Sequence, residues 1–129
     1  MILYLSSQDS LDIHPDNKPT DFIVELPRTL YLEGPWEAAL LDIKHDEWLN
    51  NIFVFCDWCD TSVVRGQDLQ VLRMVPRFGF ESLYYYIPLI KQHHFQRIHI
   101  TIKGHDLQDV SSFATEPTTC TLRLRKCRP

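Results

Sequence analysis

The chain has little glycine, no long apolar run and no basic excess, and each absence argues against a class of function. Four glycines in 129 residues, each isolated, leave no glycine-rich loop to hold a phosphate. The longest apolar stretches, such as Tyr84–Ile90, are well short of the roughly 18 residues that a membrane span needs. The net charge of −4 does not suggest a nucleic-acid-binding domain. We therefore expect no membrane span, no cofactor and no small-molecule substrate.

A secretory leader and a disulfide framework are also not indicated. The apolar start, Met1–Leu5, has no basic residue and runs directly into polar residues, so it does not resemble a signal peptide. Four cysteines are too few for a disulfide scaffold and are typical of buried thiols in a reducing cell. Both observations predict an intracellular protein.

Short stretches of alternating apolar and polar residues dominate the chain and predict an all-β fold. Ile98, Ile100 and Ile102 alternate with polar residues, as in a strand with one wet face. The pattern predicts a jelly-roll-like β-sandwich of about eight short antiparallel strands with little helix. The candidate strands are Ile2–Leu5, Phe22–Leu26 ending at Pro27, Trp36–Ile43, Ile52–Cys56, Ser62–Arg65, Leu69–Val75, Leu83–Ile87, Ile98–Ile102 and Cys120–Leu124.

The chain contains no internal repeat and no Gly/Ser/Pro-rich linker, so we expect one domain over residues 1–129. A helical turn or two could occur in segments 44–51 and 88–95, with Pro88 suited to the first turn of the latter. The segments Ser6–Thr20 and Gly104–Thr119 are predicted surface loops.

Cys56-Asp57-Trp58-Cys59 has the spacing of a zinc knuckle or a redox dithiol. On one strand, residues three apart point to opposite faces, so only a turn at Asp57-Trp58 would bring the two thiols together. Cys120 and Cys127 are seven residues apart, an odd number, so on one strand they would also point to opposite faces. We therefore expect cysteines that serve as small buried apolar residues and bind no metal.

Candidate catalytic groups do not form a known pattern. His93, His94 and His99 lack the spacing that places two imidazoles on one face of a helix, which favours solvated or capping histidines. No Gly-x-Ser-x-Gly elbow is present. The expectation is a protein that is not an enzyme and has no catalytic, cofactor or metal site.

Aromatic and basic residues are the candidates for binding. Tyr84–Tyr86 would place rings on both faces of a strand, one for the core and one for an interface or a hydrogen-bonded surface. Trp48 and Trp58 adjoin polar segments and are either contact residues or buried anchors. The basic end could contact nucleic acid, although a solvated or salt-bridged strand edge is the favoured interpretation. Its basic residues are Arg123, Arg125, Lys126 and Arg128.

Charge is distributed unevenly along the chain. Residues 1–60 hold 12 acidic and 3 basic residues, a net −9, whereas residues 61–129 hold 5 acidic and 10 basic residues, a net +5. Two interpretations stay open: the charges neutralise each other within one sandwich, or an acidic face of one copy meets a basic face of another.

Several phrases of the sequence, taken in order, resemble the virion structural proteins of adenovirus-like DNA viruses and of Maverick/Polinton-type elements and adintoviruses. The similarity spans almost the whole chain, and Cys59 departs from the family pattern. The phrases are Leu3-Tyr4-Leu5-Ser6-Ser7, Pro15-Asp16-Asn17 leading to Phe22 and Leu26-Pro27, Leu32-x-Gly34-x-Trp36-Glu37-x-Ala39-Leu40, Phe53-Val54-Phe55-Cys56-Asp57, Val71-Leu72-Arg73-x-Val75-Pro76, Tyr86-x-Pro88, Phe95, Ile98-x-Ile100-x-Ile102 and Leu122-x-Leu124-Arg125.

The resemblance implies a penton-like or minor capsid component, located in the virion and assembled inside the host cell. Its expected partners are further copies of itself and other virion proteins. The alternative is a β-sandwich binding module that recognises a host protein or a glycan through its loops, Ser6–Thr20 and Gly104–Thr119.

Overall fold

A computed structural model describes residues 1–44, 51–76, 84–109 and 116–127, and these residues form strands and turns without a helix. The alternating apolar residues form most of the strands that the sequence predicts. The strands are β1 (Ile2–Ser6), β2 (Asp21–Tyr31), β3 (Trp36–Lys44), β4 (Ile52–Cys56), β5 (Ser62–Val64), β6 (Gln67–Leu69), β7 (Val71–Val75), β8 (Ile87–Pro88), β9 (His94–Gly104) and β10 (Thr119–Lys126).

Two antiparallel sheets pack face to face, and their strand order is that of a jelly roll. The first sheet has the order β1-β10-β3-β8 and the second has the order β2-β9-β4-β7. With the small β5–β6 hairpin set aside, the first strand pairs with the last, the second with the second last, and so on inward to β4 with β7. This is one long folded hairpin rolled into a sandwich. The predicted all-β sandwich is therefore confirmed.

The core lies between the two sheets and is built by the inward half of each strand's alternation. Along β9, Ile98, Ile100 and Ile102 are buried, while the polar residues between them lie on the outer face of the second sheet. Other fully buried side chains are Phe22, Leu40, Ile52, Val54, Leu72, Val75, Phe95, Leu122 and Leu124. Burial of these apolar side chains is the main contribution that holds the two sheets together.

The expectation that Pro27 ends the second strand is wrong, because β2 continues to Tyr31. The pairing with β9 is interrupted between Glu25 and Leu30, and Pro27 lies within that irregularity. Proline lacks an N–H and is tolerated at a strand position that needs no ladder hydrogen bond. Because β2 is an edge strand, its interruption leaves the rest of the sheet intact.

Three further local predictions need correction. The predicted strand Leu69–Val75 is divided at Gln70 into β6 and β7. The predicted strand Leu83–Ile87 is wrong over 84–86, where only Ile87 enters a strand, and Leu83 lies outside the described residues. The predicted turn of helix at 88–95 is also wrong, because Pro88 belongs to β8 and His94 begins β9. The other possible helix, 44–51, falls mostly outside the described residues.

Candidate functional site

The two cysteines of the Cys-x-x-Cys motif are brought together by a turn. The Cys59 N–H donates to the Cys56 carbonyl at 3.1 Å, and the two thiols are hydrogen-bonded to each other. The Trp58 indole N–H, within the turn, donates to the Arg97 carbonyl at 2.7 Å, and its ring packs on Phe95. The sequence predicts that the two thiols can meet only if a turn forms at Asp57-Trp58, and the structure contains that turn.

The thiols nevertheless lie in surroundings that suppress thiol chemistry. Cys56, Cys59 and Cys120 are buried and unbridged, and Cys127 is half-buried. Burial raises the pKa of Cys56, assisted by its hydrogen bond to Cys59, and burial raises the pKa of Cys120 to about 12. A protonated, buried thiol is a poor nucleophile and a poor metal ligand. In the described part of the chain, no group of three or more His, Cys, Asp or Glu side chains could hold a metal ion.

The histidines singled out in the sequence do not converge. His93 and His94 are exposed near the start of β9, whereas His99 lies on the outer face of the second sheet. There the His99 ring contacts the Asp21 carboxylate at 2.5 Å. His14, which the sequence does not highlight, makes a similar 2.9 Å contact with Glu25. These are two separate histidine–carboxylate pairs on β2, of which the His14–Glu25 pair is the more buried.

The segment between β1 and β2 is a well-ordered loop that is fastened to the edge of β2. The Asn17 side chain makes two hydrogen bonds to the backbone of Ile23, donating to its carbonyl at 2.8 Å and accepting from its N–H at 2.9 Å. The Ser10 hydroxyl accepts from the Glu25 N–H at 2.8 Å. These backbone groups point away from β9, so the loop satisfies polar groups that an edge strand would otherwise expose. Between the two attachments, Leu11, Asp12, Ile13, Pro15 and Asp16 are exposed, and His14 is half-buried.

The edge of β1 is protected at its end, where the Ser6 N–H donates to the Asp9 carboxylate at 2.9 Å and the Asp9 N–H donates to the Ser6 carbonyl at 3.1 Å, but not at Ile2 and Tyr4. Its hydrogen bonds to β10 are made by alternate residues, since Met1 and Ser7 pair with Leu124 and Thr118. Ile2 and Tyr4 therefore direct their N–H and C=O groups away from the sheet, and within the described ranges these groups have no hydrogen-bond partner. The same two residues direct their side chains outward, with Ile2 38% and Tyr4 78% exposed.

Arg123 and Arg125 lie on the outer face of the first sheet, whereas Lys126 ends β10 opposite Trp36 of β3, with its side chain next to Gly34. Arg125 is paired with Glu37 at 2.7 Å and lies 3.3 Å from the centre of the Tyr86 ring. Arg123 is the direct cross-strand neighbour of Ile2, and Lys126 follows at the end of β10. These residues line a groove of about 670 Å³. Arg128 lies outside the described residues.

The tyrosine cluster and the tryptophans have different roles. Tyr84 and Tyr85 are exposed, and the Tyr85 ring lies 5.5 Å from the guanidinium of Arg73. Arg73 is itself 5% exposed and reaches across the sandwich to the Leu40 carbonyl of the opposite sheet at 3.4 Å. Trp58 is a buried anchor, whereas Trp48 lies outside the described residues. Sequence reasoning missed the Arg73 bridge, because no local signal marks an arginine in a strand as buried.

Neither a protein-family model nor a curated protein matches this chain. No helix in the described ranges is both long enough and apolar enough to cross a membrane. The surfaces described above are therefore the basis on which a function is proposed.

Proposed function

We propose that this chain is a non-enzymatic structural protein of viral type, a penton-like or minor capsid component that self-assembles through the open edge of β1. The observation that carries the proposal is the contrast between β1 and β2, two of the four edge strands of the sandwich. The backbone of β2 is covered by the Asn17 and Ser10 side chains, whereas the outward backbone groups of Ile2 and Tyr4 in β1 have no partner among the described residues.

Strand edges are normally protected in proteins that stay monomeric, because unpaired N–H and C=O groups are a template for another strand. In β1 the unpaired groups coincide with exposed apolar side chains. Met1 is 52% exposed, and Tyr4 directs its whole ring into solvent. An interface here would gain both backbone hydrogen bonds and apolar burial. Both gains favour association.

The jelly roll and the resemblance in the sequence supply the viral part of the proposal. Double-sheet jelly rolls occur in viral capsids, where neighbouring copies pack side by side, and also in lectin domains and cupins. The ordered phrases of the sequence, among them Leu3–Ser7 and Ile98–Ile102, favour the capsid class. The proposed location is the virion, with assembly inside the host cell and with other virion proteins as further partners.

The experiment compares two tyrosines that are equally exposed on different strands. Tyr4 in β1 and Tyr31 in β2 are each 78% exposed. Sedimentation velocity and light scattering over a concentration series should show assembly of the wild type, loss of assembly in Tyr4→Lys, and wild-type assembly in Tyr31→Lys. A wild type that stays monomeric at the highest soluble concentration would contradict the proposal, as would equal behaviour of the two variants.

A second candidate, the binding module for a host protein or glycan, is favoured by the loop between β1 and β2. That loop is attached to β2 by the hydrogen bonds of Ser10 and Asn17 and presents Leu11 and Ile13, which are 39% and 58% exposed. A rigid loop binds with a smaller entropic cost than a flexible one. Two results together would favour this candidate over the capsid component. Loop substitutions would abolish binding to a host-cell surface, and neither the wild type nor any variant would assemble.

A further inference from the structure

We propose that the surface beside β1 receives the loop between β1 and β2 of a second copy, so that the chains associate head to tail. This inference rests on the proposed function and assigns the two surfaces that it uses. The basic patch consists of Ile2, Tyr4, Arg123 and Lys126. The acidic knob consists of Leu11, Asp12, Ile13 and Asp16.

The charges of the two surfaces are complementary, and they form no ion pair with the residues that the structure describes. Arg123 and Lys126 are exposed and form no ion pair with the described residues, in contrast to Arg125, which is paired with Glu37. Asp12 and Asp16 of the knob are likewise exposed and have no partner in the described part of the chain. Oppositely charged surfaces attract during encounter and fix the orientation of the bound partner.

The surroundings of each surface do not cancel its charge. At this end of the first sheet, Arg123, Arg125 and Lys126 are accompanied by one acidic residue, Glu37, on the groove that they line. The loop carries Asp9 in addition to the two knob carboxylates, and Lys18 is its basic residue. Asp42, the exposed cross-strand neighbour of Thr121, adds a second carboxylate near the patch, so the three basic residues leave the patch a smaller positive charge while the loop remains negative.

Apolar side chains accompany the charges on both sides. Ile2 and Tyr4 lie next to Arg123 and Thr121, their cross-strand neighbours in β10. On the knob, Leu11 and Ile13 flank Asp12. Each surface thus combines exposed apolar groups with unpaired charge, as interfaces with a hydrophobic centre and a charged rim do.

The two surfaces belong to different sheets of the sandwich, and no ion pair joins them among the described residues. The patch is on the outer face and free edge of the first sheet. The loop that carries the knob runs across the outer face of the second sheet, where Ile13 and His14 line a groove with Ile23 and His99. Contact between two different surfaces is heterologous, and repetition gives a closed ring or an open chain according to the rotation between copies. A ring is the arrangement that a vertex component requires.

The loop is also suited to recognition because its shape is fixed before it binds. The Ile13 and His14 N–H groups donate to the Ser10 carbonyl at 3.2 and 2.7 Å, and Asn17 fixes the end of the loop to β2. A loop that is already ordered loses little conformational entropy on association.

The test is an exchange of charges between the surfaces. The patch variant is Arg123→Glu with Lys126→Glu, and the knob variant is Asp12→Lys with Asp16→Lys. Alone, each variant should self-associate at least about tenfold more weakly than wild type, because like charges meet at every interface. In an equimolar mixture, assembly should return, since a reversed knob meets a reversed patch and an unchanged knob meets an unchanged patch. Sedimentation velocity measures all three samples.

Matched controls use charges outside both surfaces. Arg28→Glu in β2 and Asp68→Lys in the β5–β6 hairpin change exposed residues of the same types. Each should assemble like wild type, which separates a local effect from a general change in net charge. The restored assembly of the mixture should also weaken as salt is raised, because exposed charges are screened.

The outcomes distinguish this inference from the function on which it rests. A wild type that assembles while both charge variants assemble equally well, or a mixture that does not recover, overturns the head-to-tail contact and leaves the structural role intact. A wild type that never assembles overturns both. If the patch variant assembles normally but loses binding to a short oligonucleotide at physiological salt, the patch serves nucleic acid and the inference is overturned.

Discussion

Removal of the Asn17 side-chain amide should loosen the protected edge of β2 and lower the stability of the whole domain. In Asn17→Ala, the N–H and C=O of Ile23 lose their two partners, which lie at 2.9 and 2.8 Å in the wild type. A typical hydrogen bond contributes about 1 kcal/mol net, so the expected loss is about 2 kcal/mol of unfolding free energy. Water can reach this partly buried edge, which keeps the loss from being larger.

Urea unfolding measures the loss directly, and amide hydrogen exchange locates it. The Ile23 N–H should exchange faster in the variant, whereas amides of β2 that donate to β9, such as Phe22 and Val24, should keep most of their protection. Asn17→Asp provides a stringent companion. It retains an acceptor for the Ile23 N–H but places a carboxylate oxygen against the Ile23 carbonyl, and it should therefore also destabilise.

Gln8→Ala is the matched control, because Gln8 is an exposed amide in the same loop and its side chain makes none of the described hydrogen bonds. It should change stability by less than about 0.5 kcal/mol. If Asn17→Ala is as stable as this control, or if Ile23 exchanges at its wild-type rate, then Asn17 does not protect the edge and the reasoning is refuted.

Four further predictions concern the core, the cysteines and one turn. Leu122→Ala, at a fully buried position of β10, should cost about 2–5 kcal/mol in urea unfolding, and a loss below 1 kcal/mol would contradict its place in the core. Burial raises the pKa of Cys120 from 9.0 to about 12, so its contribution to stability should be complete below pH 9 and lost progressively between pH 9 and 12. In Cys120→Ala, the free energy of unfolding should fall less steeply between pH 9 and 12. A slope equal to that of the wild type would contradict the role of Cys120. In thiol titration of the native protein at neutral pH, half-buried Cys127 should react first, and rapid reaction of all four thiols would contradict their burial. Gly66→Ala should lower the melting temperature, because Gly66 has a φ of 76° that favours glycine, and an unchanged value would refute this role.

The alternation of side chains was sufficient to predict the sandwich, because it records which face of a strand meets the core. Ile98, Ile100 and Ile102 predict a strand, whatever the position of that strand in the sheet. No local sequence pattern indicates whether a strand lies at the edge or in the middle of its sheet. Pro27 was therefore expected to end a strand that continues past it, since only the tertiary structure shows that β2 is an edge strand where a missing N–H is tolerated.

The candidate surfaces were less predictable than the fold, because they depend on contacts between distant residues. The protection of β2 joins Ser10 to Glu25, fifteen residues apart, and no motif marks either residue. Likewise, the open edge of β1 becomes visible only when its pairing with β10 is known. The charge asymmetry was visible in the sequence, but it could not indicate which charges remain unpaired on the surface. Arg125 and Arg123 are two positions apart, yet one is paired with Glu37 and the other is not paired within the described residues.

Of the four edge strands, β1 and β2 differ in how their backbone groups are covered, and this difference makes the two surfaces unlike. The same loop that covers the backbone of β2 also carries the acidic knob, so protection of one edge and construction of a recognition element are a single structural feature. If β1 and β2 were both covered, neither strand would present a backbone template. If both were open, either could pair with another chain without control. The uncovered part of β1 and the acidic knob are two different surfaces, and contact between them would fix a single orientation of neighbouring copies. That asymmetry is what a subunit needs if its copies are to assemble in order rather than to aggregate.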